Sequence, residues 1–202
     1  MVALVALAWW TGEKEEYDLH LWVGYAALFL ILFRIFWGLV GSSTARFTSF
    51  IRGPGAILRY VRDRFAWPFA GHAPLGALSV IALLAVLLFQ VVSGLFAEDE
   101  DGLLLGPLAK FVSVDISDAI TELHEEAFNI LLVLIGLHVA AILFYRIVLR
   151  KRLVEPMITG RSELDPGVAP MTEVPAWRAF ACATIALALT IWVAKGVPPF
   201  GP

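Results

Sequence analysis

The chain has 202 residues, of which 59% are hydrophobic and only 16% are charged, and its formal net charge is −3. With a mean hydropathy of +0.80, this composition excludes an ordinary soluble globular domain. The few basic residues lie beside apolar blocks and give no surplus for a polyanion, so nucleic-acid binding is excluded as well. The single cysteine, Cys182, cannot form an intrachain disulfide or a thiolate metal cluster.

Five apolar blocks follow one another along the chain, and a membrane-spanning helix needs about 20 such residues. The first block, Met1 to Trp10, has about half that length and is interpreted as the tail of a helix. A signal peptide is a poorer interpretation because no basic region precedes the block. The other four blocks predict spans at about 19–40, 75–97, 120–149 and 179–197. The predicted fold is an all-α integral membrane helix bundle.

The charged connections predict the orientation of these spans. Lys and Arg accumulate between the second and third spans and after the fourth, whereas the connections at 12–18 and 98–101 are mostly acidic. The basic connections therefore belong inside, so the second and fourth spans run inward and the others outward. The turn-rich segments at 53–55 and 155–175 are predicted to be cytoplasmic, and the segment at 106–118 is predicted to lie at the outer interface.

All four histidines of the chain, His20, His72, His124 and His138, lie in or at the edge of a span. A single histidine near a helix end is more often an interfacial hydrogen-bonding residue, but an ionisable residue inside a membrane is also a functional-site candidate. His124 and His138 are 14 residues apart on one span. That interval returns to nearly the same helix face and advances about 21 Å. These two histidines therefore mark an outer and an inner level.

At the outer level, His20 begins one inward span and lies level with His124 on another. Two imidazoles facing each other across helices offer the axial positions of a haem. The sequence therefore predicts an outer bis-histidine haem on His20 and His124. Zinc is a poorer interpretation because it needs three or four ligands around one ion, and these histidines occupy two levels.

The inner level contains His138 and His72, which precedes the third span. Arg34 lies 14 residues after His20 and reaches a similar depth. It either pairs with a haem propionate or extends to the inner interface, and both interpretations remain open. A nucleotide-driven pump or a hydrolase has no support, because the sequence has no phosphate loop and no nucleophile elbow. A transporter ranks last because the third and fourth spans show no internal proline.

A series of short motifs occurs in order along residues 10–160. They are His20-Leu-Trp-Val-Gly-Tyr25, Arg34-Ile-Phe-Trp-Gly38, Ala45-Arg-Phe47, Gly71-His-Ala-Pro-Leu-Gly76, His124-Glu125, Leu137-His138 and Met157-Ile-Thr-Gly160. Together they resemble the prokaryotic cytochrome b561 family, which includes the cytochrome b subunits of nickel-iron hydrogenases. The resemblance implies a four-helix core with two b haems in a prokaryotic cytoplasmic membrane. It also implies electron transfer between a quinone pool and a surface redox partner, a cytochrome c or a hydrogenase-type redox subunit.

The resemblance also implies a ligand set. His20, His124 and His138 match three of the family's axial ligands, whereas the ligand of the first helix would fall just before Met1. A truncated or misassigned start is therefore predicted, and the inner haem lacks one family ligand in this sequence. His72 matches a family histidine that is not a usual axial ligand and is a candidate contact to the inner haem edge or a propionate.

The sequence thus predicts a transmembrane electron carrier with no independent catalytic motif. The predicted haem-binding domain covers residues 1–160, and a cytoplasmic linker at 161–178 joins it to a C-terminal transmembrane helix at 179–197. The alternative is a membrane anchor or assembly subunit of a redox complex that does not itself carry electrons.

Overall fold

The structure is a computed structural model that describes residues 1–63, 65, 71, 73–98, 105–150, 159 and 171–196. Its described elements are seven α-helices and a short 3-10 helix at Ala109–Phe111. The α-helices are α1 (Val2–Glu13), α2 (Tyr17–Val40), α3 (Phe47–Phe50), α4 (Pro54–Arg62), α5 (Pro74–Gly94), α6 (Val114–Ile147) and α7 (Trp177–Ala194).

Four of the described helices, α2, α5, α6 and α7, are long and apolar enough to cross a membrane. Helix α1 has 12 residues and extends about 18 Å, less than the thickness of a hydrocarbon core. Many large apolar side chains of these helices are exposed, which suits a surface covered by lipid. The predicted all-α membrane bundle, with four full spans after a short apolar helix, is therefore confirmed.

The boundaries of the fourth span differ from the prediction. Helix α6 begins at Val114 rather than near Ile120, so the predicted interfacial segment divides between the 3-10 helix and the first turns of α6. Asp115 lies in the first turn of α6, where it complements the helix dipole. Hydropathy marks where an apolar run begins, whereas these first turns are polar and continue the helix beyond it.

The connection between α2 and α5 contains helix α4, which begins at Pro54, a residue favoured in the first turn of a helix. The Tyr60 side chain is 3% exposed, and its hydroxyl lies 2.7 Å from the Tyr145 hydroxyl on α6. Burial, reinforced by this hydrogen bond, raises the pKa of the Tyr60 hydroxyl. The phenol therefore stays protonated at neutral pH and ties α4 to the inner end of α6.

Helix α2 lies at the centre of the described bundle, where it packs against α1, α5 and α7, while α5 packs against α6. Within the described ranges, α2 and α6 do not form a closely packed helix pair. Helix α7 buries Cys182, Ala186 and Thr190, which are spaced one turn apart. Arg178 at its start donates a hydrogen bond to the Val40 carbonyl at the end of α2. Side chains of α2 and α6 thus meet across a space that the backbones leave open.

Candidate functional site

His20 on α2 and His124 on α6 face each other at the outer end of the bundle. Their ring centroids are 6.4 Å apart and their planes are inclined at 75°. Two imidazoles that bind one metal ion from opposite sides, each through a nitrogen about 2 Å from the ion, have centroids roughly 6 Å apart. The observed separation is therefore that of two axial ligands of one iron.

The surroundings of His20 fix which ring nitrogen carries the hydrogen. Its Nδ1 lies 3.0 Å from the Ala8 carbonyl oxygen and 3.1 Å from Thr11 Oγ1. Thr11 is fully buried, and its hydroxyl donates to the Leu7 and Ala8 carbonyls of α1. Because a carbonyl only accepts, Nδ1 of His20 carries a hydrogen and donates it to Ala8. Nε2 then keeps the lone pair with which a histidine binds metal.

The same tautomer follows for His124 from its contacts with α5. Ser93 Oγ donates to the Gln90 carbonyl at 3.0 Å and lies 3.0 Å from His124 Nδ1. A hydroxyl has only one hydrogen, so Nδ1 of His124 donates to Ser93, and Nε2 keeps its lone pair. Both facing histidines therefore present an unprotonated Nε2.

The Gln90 side chain occupies the Nε2 position of His124. Its amide nitrogen lies 3.0 Å from that Nε2 and donates to it. Its other amide atom, Oε1, is buried and has no hydrogen-bond partner in the described part of the chain. Buried polar atoms are rarely left unpaired in native proteins. The orphaned oxygen therefore indicates that Gln90 turns aside when a ligand occupies the space between the two imidazoles.

Glycines provide the space for a flat cofactor. A Cβ atom at Gly94 would lie 2.8 Å from His124 Cε1, so the imidazole packs directly on the backbone of α5. Gly24 lies one turn after His20, and Gly136 lies near His138, and a Cβ at either position would meet nothing within 4 Å. The donor atoms, their tautomers and this open space fit a b haem between α2 and α6.

The inner level repeats one contact of the outer level. His138 Nδ1 lies 2.7 Å from Ser79 Oγ, as His124 Nδ1 lies beside Ser93. The two serines are 14 residues apart on α5, as the two histidines are on α6. Because these helices are antiparallel, one register forms both serine–histidine pairs. The sequence analysis missed both serines, and the matching interval was the signal that would have found them.

The other two candidate residues differ in what the structure says of them. Arg34 donates a hydrogen bond to the Ala45 carbonyl at 3.4 Å, and its guanidinium carbon lies 5.0 Å from the centre of the Phe47 ring. Its charge thus lies against the connection that follows α2. His72 lies outside the described residues. The structure therefore brings His20 and His124 together, holds His138 at the other level, and shows no second imidazole beside His138 in the described ranges.

A membrane-spanning helix bundle with facing histidines, each anchored through Nδ1, defines a membrane-bound b-type haem protein. The family model of prokaryotic cytochrome b561 matches residues 1–160, and the chain belongs to this family. The resemblance seen in the sequence is therefore confirmed, and the family function is transmembrane electron transfer by a b-type cytochrome. Helix α7 lies beyond the matched residues. No curated protein and no solved structure gives a significant match.

We expect Ser93→Ala to weaken haem binding at the outer level and Ser79→Ala to weaken it at the inner level. Each substitution removes a partner of an imidazole Nδ1, and loss of such partners typically lowers metal affinity by about 10- to 100-fold. Transfer of haem to an excess of a haem-accepting apoprotein, followed spectroscopically, measures this affinity. Each variant is the control for the other, and equal effects on both haem signals would contradict the two-level assignment.

Proposed function

We propose that this protein carries electrons across the membrane on two b haems. His20 and His124 hold the outer haem, and His138 holds the inner haem together with a ligand outside the described residues. The observation that carries the proposal is the facing pair of imidazoles, 6.4 Å apart between centroids, whose Nδ1 hydrogens are both used by neighbouring acceptors. When bound, the haem iron supplies reversible one-electron chemistry.

The residues around the outer pair orient and tune the ligands. The Ala8 carbonyl and the Ser93 hydroxyl accept the Nδ1 hydrogens, which raises the basicity of each ligand nitrogen and stabilises the oxidised iron. Val23 and Ala127, each three residues after a ligand, are 4% exposed. This apolar packing on the inner side of the pair keeps water away and lowers the local dielectric constant.

The spacing of the two levels supports transfer across the membrane. His124 and His138 are separated by about 21 Å along α6, and a hydrocarbon core is about 30 Å thick. A redox group at each level therefore lies near each surface. Both groups are held by the α5–α6 pair through the repeated serine–histidine contact, so their relative depth is fixed by one rigid helix packing.

We infer that the electron partners are a quinone in the bilayer and a redox protein at the surface, a cytochrome c or a hydrogenase-type redox subunit. Support comes from family membership and from the exposed carboxylates around His124, namely Glu122, Glu125 and Glu126. A negative surface beside the outer haem favours a basic protein partner. The same carboxylates offer acceptors for the protons that quinol oxidation releases.

We also propose a location and a division of the chain. The basic connections support placement in a prokaryotic cytoplasmic membrane with these connections inside. Residues 1–160 form the haem-binding domain, residues 161–178 a linker, and residues 179–197 an added transmembrane helix. The packing of α7 against α2 supports a structural role for that helix, on a helix that carries a haem ligand.

The haem-to-protein ratio of the purified protein, with a reduced-minus-oxidised spectrum of the same sample, tests this function. We expect two b haems per chain. One haem per chain would contradict the inner site and leave the outer pair. A haem-free protein after haem-replete expression would overturn the electron-carrier function and support a membrane anchor of a redox complex instead.

A further inference from the structure

Helix α4 presents three different faces. Tyr60 faces the protein, where it is 3% exposed and bonded to Tyr145. Leu58 and Val61 are 72% and 48% exposed, and residues three apart share one side of a helix. Arg59 and Arg62, also three apart, are exposed on the remaining side. With nine residues, the helix is too short to cross a membrane.

The neighbouring apolar and basic faces indicate where α4 lies. A short helix with an apolar face beside a basic face is typical of a segment in the plane of the membrane interface. There the leucine and valine side chains reach the acyl region, and the guanidinium groups lie at the depth of the lipid phosphates. An aqueous or protein-docking surface would leave Leu58 and Val61 without an apolar environment.

The charges near α4 favour an anion. Arg52 precedes the helix and is exposed, and Arg146 and Arg150 are exposed at the inner end of α6. The acidic neighbour Asp63 lies 3.6 Å from Arg62, but the two side chains are 55% and 78% exposed. Such an exposed pair is weak and leaves the arginine able to contact a phosphate. Arginine is also the residue best shaped to bind phosphate oxygens in pairs.

We propose that α4 is a binding surface for anionic phospholipid headgroups, with Arg59 and Arg62 on the phosphate and Leu58 and Val61 in the acyl region. The Tyr60–Tyr145 hydrogen bond holds this surface against α6, two turns beyond His138. A bound lipid therefore braces the inner end of the helix that carries His138. The lipid site itself does not depend on which residues bind haem.

Native mass spectrometry of the full chain in neutral detergent tests the proposal. The protein is mixed with equal amounts of phosphatidylglycerol and phosphatidylcholine that have the same acyl chains, and the two lipid adducts are compared. We expect a preference for phosphatidylglycerol. Each surface arginine contributes about fivefold to binding of an anionic lipid surface, so the double variant R59Q/R62Q is expected to lower this preference by about 25-fold.

Two further double variants make the result specific. K14Q/K110Q removes the same charge from exposed positions at the opposite end of the bundle and is expected to keep the preference. R59K/R62K keeps the charge and is expected to retain most of it, which separates lost binding from lost folding. An unchanged preference in R59Q/R62Q would overturn the proposal, and so would an equal loss in K14Q/K110Q.

Discussion

Replacing His20 or His124 with alanine is expected to remove the outer haem, whereas His138→Ala is expected to spare it. The two imidazoles share one space, with ring centroids 6.4 Å apart, so neither variant retains two axial nitrogens at the outer level. His138 belongs to the second level, about 21 Å away along α6. Its own substitution is therefore expected to affect only the inner haem.

Reduced-minus-oxidised spectra and haem content, measured on the three variants side by side, check this expectation. We expect the two outer variants to lose the same low-spin signal and His138→Ala to keep it. Added imidazole is expected to restore part of that signal in His20→Ala and His124→Ala, because it replaces the missing ligand without the protein side chain. Equal loss of haem from all three variants would contradict the assignment of His20 and His124 to one haem.

The sequence was sufficient to predict those properties that depend on one helix at a time. Span length follows from hydropathy, orientation follows from basic connections, and the depth of each histidine follows from the rise per residue. That reasoning predicted that His20 and His124 lie level, and the structure brings their rings into contact. The identity of the residues that bind haem remains a prediction.

Properties that depend on the register between helices were not accessible in the same way. Ser93 meets His124, and Ser79 meets His138, because α5 packs antiparallel to α6 in one particular register. Hydropathy contains no information about that register. Thr11 has the same explanation, since its position beside His20 depends on how α1 packs against α2.

Helix α4 was missed for a different reason. Its nine residues follow Gly53 and contain Gly55, which together favour a turn in any window long enough to average over. The period of its apolar and basic residues becomes visible only when the helix bounds are known. The neighbouring aromatic packing of Phe65 against Tyr60 and Tyr145 also joins segments far apart in the chain.

Gly94→Ala is expected to displace His124 and to lower haem affinity at the outer level by at least about tenfold, as loss of a ligand-orienting contact does. The added Cβ would lie 2.8 Å from Cε1 of the imidazole and 3.3 Å from Nδ1. The ring has to move away from α5, and this movement breaks its 3.0 Å contact with Ser93 Oγ. A ligand set needs its geometry held within about 0.5 Å, so a small displacement is sufficient to disrupt the site.

Gly76→Ala is the matched control, because it makes the same substitution on the same helix where a Cβ would meet nothing within 4 Å. In a helix, alanine is favoured over glycine by about 1 kcal/mol, so neither variant is expected to lose helix stability. Thermal unfolding and outer-haem content, measured together, separate the two effects. Gly76→Ala should retain both haem signals, and an unchanged outer signal in Gly94→Ala would show that close packing on α5 does not hold the His124 ring in its binding position.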